Sequence, residues 1–186
     1  MPDFQHSALI IVDVQNDFLP HGALAVPRGD EIIAQVNALS HLGFGAVIAT
    51  QDWHPADHCS FAPQGGPWPA HCVAASSGAD FPKSLDLSPI SHIIHKGMAQ
   101  NRDSYSAFFD NDHVTSTGLN ALLSGLSINH VVICGLALDF CVAATAEDAM
   151  RCGFRTDIAL EACRGINADQ SALLQKLRSN GITLSD

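Results

Sequence analysis

Basic residues are scarce in this sequence: nine Lys and Arg stand against 19 Asp and Glu in 186 residues, a net charge of -10 with histidines neutral. So acidic a chain repels nucleic acid and anionic membranes alike, which argues against both as partners and favours a small molecule. Long apolar runs are missing too, none approaching the roughly 18 residues needed to cross a bilayer. The opening MPDFQHSALIIVD has neither a basic n-region nor a small-residue cleavage site, so it does not read as a signal peptide. The expected compartment is therefore the cytoplasm, where the six cysteines serve as thiols, ligands or nucleophiles rather than disulfides. Internal repeats, low-complexity tracts and interdomain linkers are also absent. Charged residues make up only 15% and hydrophobic ones 47%, which excludes disorder and predicts one packed domain over residues 1–186.

What is present is an alternation. SALIIVD (7–13), GAVIATQD (45–52), SHIIHKG (91–97), HVVICGL (130–136) and RTDIALEA (155–162) read as strands, and GITLSD (181–186) as a short sixth. Their uninterrupted Ile, Val, Leu and Ala suit parallel strands covered on both faces. Between them GDEIIAQVNALSHLG, STGLNALLSGLS, DFCVAATAEDAMRCG and ADQSALLQKLRSNG carry helical spacing. The pattern predicts an α/β fold, a three-layer α/β/α sandwich with a mainly parallel sheet of about six strands and Rossmann-like crossovers. Residues 53–90 break the rhythm with Pro, Gly, Ser and His, and an irregular insertion of that length is usually a functional loop.

In such a sheet, reactive groups gather beyond the carboxyl ends of the strands. The first strand ends at Asp13, the second at Asp52 and the third at Lys96, while the fourth runs through a short turn to Cys141. Cys134, inside VVIC, reads as a core thiol. Cys141 differs, because Asp139 suits a helix N-cap and would place this cysteine in the first turn, where the helix dipole lowers a thiol pKa and backbone N–H groups can hold an oxyanion. Asp13, at the mouth of a buried strand, should have a raised pKa and suits a proton acceptor. Lys96 could steady that carboxylate. Taken singly, the cysteine reads equally as packing, the aspartate as a turn residue and the lysine as a surface cation. Together on one rim they favour a Cys–Asp–Lys site.

The stretch QDWHPADHCSFA (51–62) adds a second cluster. Asp52 and His54 sit two apart on one strand face, and His71 in GGPWPAHC can supply a third ligand. One carboxylate and two imidazoles with open positions describe a catalytic metal site. A rival site would combine Cys59, Cys72, His58 and His71, but it lacks a CxxC pair. A metal-free polar loop is the third reading, and beside Asp52, His54 and His71 the role of His58 stays open between a fourth ligand, a residue backing the ligands, and neither.

IIVDVQNDF, QDWHPADH, WPAHC, HKG…DSYSAF and VVICGLALDFCVAATA together resemble the nicotinamidases among the isochorismatase-like cysteine hydrolases, over most of the chain and in the same order. The resemblance implies a catalytic triad of Asp13, Lys96 and Cys141, and one divalent metal ion, usually zinc and sometimes iron or manganese, on Asp52, His54 and His71. It implies a cis peptide before Ala137, an oxyanion hole from the N–H groups of Ala137 and Cys141, and a pyridine pocket flanked by Phe18, Trp68 and Tyr105. The loop length differs from members with a fourth metal histidine, so His58 carries over weakly. The implied reaction is metal-assisted hydrolysis of nicotinamide to nicotinate and ammonia for NAD salvage, with pyrazinamide also accepted. The partner is then this small molecule, and a homo-oligomer remains compatible. Three rivals are a cysteine hydrolase for another amide, a carbamoyl compound or a vinyl ether; a non-enzymatic zinc-binding α/β module; and a thiol redox protein, the last disfavoured for want of a second cysteine near Cys141.

Overall fold

Six parallel strands form a single sheet in the order β3-β2-β1-β4-β5-β6. The computed structural model describes residues 4–185; Met1–Asp3 of the N-terminal segment and Asp186 of the expected sixth strand lie outside them. The strands are β1 (Ser7–Val12), β2 (Ala46–Asp52), β3 (His92–Lys96), β4 (His130–Leu136), β5 (Arg155–Arg164) and β6 (Thr183–Ser185). The helices are α1 (Ile33–Ser40), α2 (Leu119–Gly125), α3 (Ala143–Arg151) and α4 (Ser171–Ser179).

The three central strands β2, β1 and β4 are buried at every residue, as their unbroken Ile, Val and Ala runs require. Of the marginal strands, β3 buries only Lys96 and β6 buries no residue. Leu9, Ile10, Ile11, Ile48 and Ile133 are fully buried, and α3 brings Ala143, Ala146 and Ala149 into the same core. Among the described residues no helix is long and apolar enough to cross a membrane.

The chain leaves β1 in one direction to β2 and β3, then returns to place β4 on the other side of β1. Strand order reverses there, and the crevice above the β1 and β4 carboxyl ends is where such sheets bind ligands. Gly135 allows the two strands to meet: at φ 118° a Cβ would lie 2.1 Å from the Val12 carbonyl oxygen.

One expected boundary needs adjusting, and two irregular stretches take on definite form. β5 runs past residue 162 to Arg164 because an irregularity intervenes: Ile133 pairs with Ile158, but Gly135 pairs with Cys163. The aperiodic stretch 53–90 is pinned by backbone bonds, Trp68 N to Ser60 O at 3.0 Å and Ala62 N to Trp68 O at 2.7 Å among them. A second irregular stretch lies between β3 and α2, residues 97–118, and also reaches the crevice.

Candidate active site

Each of the four rim residues reaches its place through backbone geometry. Asp13 follows β1 in a left-handed conformation, φ 51°. Its N–H donates to Thr50 Oγ1 at 3.1 Å, and that hydroxyl donates back to Asp13 Oδ1 at 2.5 Å. Asp52 and Lys96 are register partners on β2 and β3. Gln15 locks Asp52 from the other side: its Oε1 accepts from Asp52 N at 2.8 Å while its Nε2 donates to Asp52 O at 2.9 Å. Cys141 lies in a wide helical turn, Leu138–Val142, leading into α3. The expected N-cap is corrected here, since Ala137 takes that position and no side chain caps the turn. Asp139 instead accepts from Ile166 N and Asn167 N. The peptide between Leu136 and Ala137 is cis, as expected.

Lys96 is fully buried and faces more acceptors than it has protons. Its ammonium donates to Asp52 Oδ1, to Ser104 O at 3.0 Å and towards Cys141 Sγ at 3.6 Å. Asp13 Oδ2 lies 2.8 Å from the same nitrogen, so the two buried carboxylates share one ammonium. Ligand atoms of Asp13, Asp52 and Cys141 all fall within 4.8 Å of one another.

Burial and pairing divide the labour among these charges. Burial lifts the Asp13 carboxyl above its ordinary value, with Lys96 only partly opposing. Asp52 is equally buried, but Lys96 and His54 hold it well below the usual carboxylate range. Lys96 stays charged: burial alone would lower it, but Asp13 and Asp52 raise its pKa well above the ordinary amine. Of the two carboxylates sharing Lys96, Asp52 keeps the negative charge and Asp13 is the one able to take a proton. The expected acidic thiol is reversed. Burial pushes the Cys141 thiol well above its ordinary value, Lys96 opposes, and Asp13 and Asp52 add to the rise, because this desolvation outweighs the favourable helix position.

Asp52, His54 and His71 converge, with ligand atoms within 4.8 Å of one another and all three residues buried. His54 Nδ1 donates to Gly97 O and His71 Nδ1 to Pro69 O, both at 2.8 Å. A carbonyl can only accept, so both rings keep the Nε2 lone pair for a ligand. This backing by main-chain oxygens is the usual support of metal-binding histidines. The donor set therefore fits a divalent ion. His58 does not join it, because Nε2 donates to Arg102 O at 2.8 Å and Nδ1 meets Ser60 Oγ at 2.7 Å; its ring stacks on His54 at 4.0 Å. Neither Cys59 nor Cys72 belongs to a convergent ligand group among the described residues.

Residues 15, 17, 50 and 97 support the site without having been singled out from sequence. Asp17 Oδ2 accepts from Cys72 N at 2.7 Å and fixes the residue next to His71. Gly97 packs beneath His54, where at φ 64° a Cβ would lie 2.4 Å from the ring. Gly97→Ala should therefore displace that imidazole and weaken divalent-metal binding by about 10–100-fold, the usual cost of disturbing a ligand's support. Competition with a chromophoric chelator measures this, and unchanged affinity would show that the glycine is dispensable. Gln15, Asp17 and Gly97 lie inside the quoted motifs IIVDVQNDF and HKG, and Thr50 inside the strand run GAVIATQD.

Phe18, Trp68, Tyr105, Phe140, Ile166 and Cys141 line a largely apolar cleft at this rim. Phe140 meets Trp68 and Tyr105 edge to face, at 5.3 Å and 5.8 Å, and the Trp68 indole N–H donates to the Tyr105 hydroxyl at 3.3 Å.

Residues 7–186 match the model of the isochorismatase domain family. The chain is 42% identical to a nicotinamidase of Acinetobacter baylyi, over 92% of this chain and 87% of that one. Among solved structures it superposes on PnC1 from L. infantum in complex with nicotinate with a TM-score of 0.95, at 42% identity, covering 98% of this chain and 93% of that one. It matches the pyrazinamidase of Pyrococcus horikoshii in complex with zinc with a TM-score of 0.89, at 40% identity, covering 97% and 99% of the two chains.

Proposed function

Since this chain belongs to the isochorismatase family, we propose that it is a cysteine amidohydrolase that converts nicotinamide to nicotinate and ammonia, and that it accepts pyrazinamide. The relatives that lend weight to this substrate are a nicotinamidase and a pyrazinamidase, each at or above 40% identity. The observation that carries the mechanism is the convergence of the buried Asp13 carboxylate with the Cys141 sulfur beside the Lys96 ammonium.

The thiol proton passes to Asp13 Oδ2 as Sγ attacks the carboxamide carbon, so no free thiolate has to persist in this buried place. Lys96 holds the negative charge that moves between sulfur and carboxylate. The N–H groups of Ala137 and Cys141 receive the oxyanion. Protonated Asp13 then gives its proton to the departing nitrogen, the C–N bond breaks, and ammonia leaves a thioester. Asp13 next removes a proton from water as it attacks, and the C–S bond breaks to release the acid and restore the thiol. Phe18, Trp68 and Tyr105 flank the ring. Asp52, His54 and His71 would hold the divalent ion, for which we propose zinc; when bound, it supplies a Lewis acid that can anchor a ring nitrogen. The single domain works in the cytoplasm, where its six unpaired cysteines stay reduced.

Purified protein should release ammonia from nicotinamide, lose that activity on chelation and regain it with zinc. An inactive protein with full metal occupancy would discard the substrate while sparing the site.

A further inference from the structure

We propose that Asp139 is a positioning residue that latches Ile166 against the cleft and thereby sets how firmly the substrate ring is held; this rests on the amidohydrolase reading above. Asp139 sits two residues before Cys141, in the turn that carries the thiol. Its carboxylate does not face the reacting groups. It turns to the segment between β5 and α4, accepting from Ile166 N at 2.9 Å, Asn167 N at 2.9 Å and Asn167 Nδ2 at 2.6 Å. Ile166 lines the cleft on one side, with Phe18, Trp68, Tyr105 and Phe140 among the other walls.

Local bonds also shape this segment, Gln170 Nε2 donating to Asn167 O at 2.6 Å and Ser171 N to Asp169 Oδ1 at 2.9 Å. Gly165 lets the main chain close onto the carboxylate, since a Cβ there would lie 3.0 Å from Asp139 Oδ1 and 2.3 Å from Gln170 Nε2. Three donors on one ionised acceptor form the strong class of hydrogen bond. The latch therefore joins the nucleophile's own turn to an apolar wall contributed by a different strand–helix connection. Loosening it should widen the cleft without moving the proton acceptor.

The test compares Asp139→Ala, the milder Asp139→Asn, Ile166→Ala and the double variant Asp139→Ala/Ile166→Ala. Asp139→Ala should raise KM for nicotinamide about tenfold, the scale of losing one charge-assisted hydrogen bond, with kcat within about threefold of wild type. Asp139→Asn should fall between. Ile166→Ala should reproduce the KM rise, and the double variant should be no worse than the worse single variant, because both act on one wall. Amide hydrogen exchange at Ile166 and Asn167 should quicken in Asp139→Ala. A lower kcat at unchanged KM, multiplying effects in the double variant, or unchanged exchange would each overturn the latch. A wild-type protein inactive on nicotinamide would instead remove the substrate assignment, and exchange would still decide whether the latch exists.

Discussion

Cys141→Ala is expected to lower ammonia release from nicotinamide by about 10⁴-fold or more, the scale of losing a covalent nucleophile whose partners work as one unit. The reason lies in where the proton goes. Asp13, the buried carboxylate paired with Lys96 at 2.8 Å, has no thiol proton to accept once the sulfur is gone. Asp52, His54 and His71 are untouched by the change, so metal content should match the wild type. This pairing of results separates catalysis from metal storage. If Cys141→Ala keeps its activity, the nucleophile has been misassigned; if it loses activity together with the metal, the sulfur serves the metal centre and the mechanism must be redrawn.

Lys96→Met should have the second large effect, on stability and activity together. The lysine side chain is wholly buried between Asp13, also wholly buried, and Asp52, which is 5% exposed. Removing the shared cation leaves two carboxylates at close quarters in a dry site, and breaking a buried pair in this way costs about 3–5 kcal/mol. The variant should unfold at lower urea concentration and release ammonia at least about 10³ times more slowly, through the lost charge stabilisation. The same variant should raise the proton affinity of Asp52, which Lys96 now holds down. A Lys96→Met protein with wild-type stability would mean that the carboxylates find other partners, and the division of roles between Asp13 and Asp52 would fall with it.

Much of this was legible from the chain alone, for identifiable reasons. Runs such as LIIV and VVIC have no polar position to offer, so they had to be interior strands, and the carboxyl ends of the strand runs had to lie on the rim. Asp13 ends SALIIVD, Asp52 ends GAVIATQD and Lys96 closes SHIIHKG, which puts all three there. The metal ligands followed because Asp52 and His54 are close in sequence and His71 stands in a short distinctive motif. Support from a distance was harder to see. Gln15 mimics a strand partner for Asp52 through its side-chain amide, and nothing in its neighbours announces that. Asp139 read as a cap from local sequence, but its acceptors were claimed by Ile166 and Asn167, which only the folded chain brings near. The thiol's proton affinity was misjudged for a related reason: helix position is local, whereas burial belongs to the whole fold.

The placement of Lys96 has one more consequence. The lysine hangs from β3, which pairs with β2 alone at the margin of the sheet, while the base and the nucleophile belong to the protected centre. Outer ribbons are where native molecules open first and most often. Keeping this marginal strand zipped therefore keeps the cation between its two carboxylates, and reinforcing that border is expected to lengthen service without touching the chemistry.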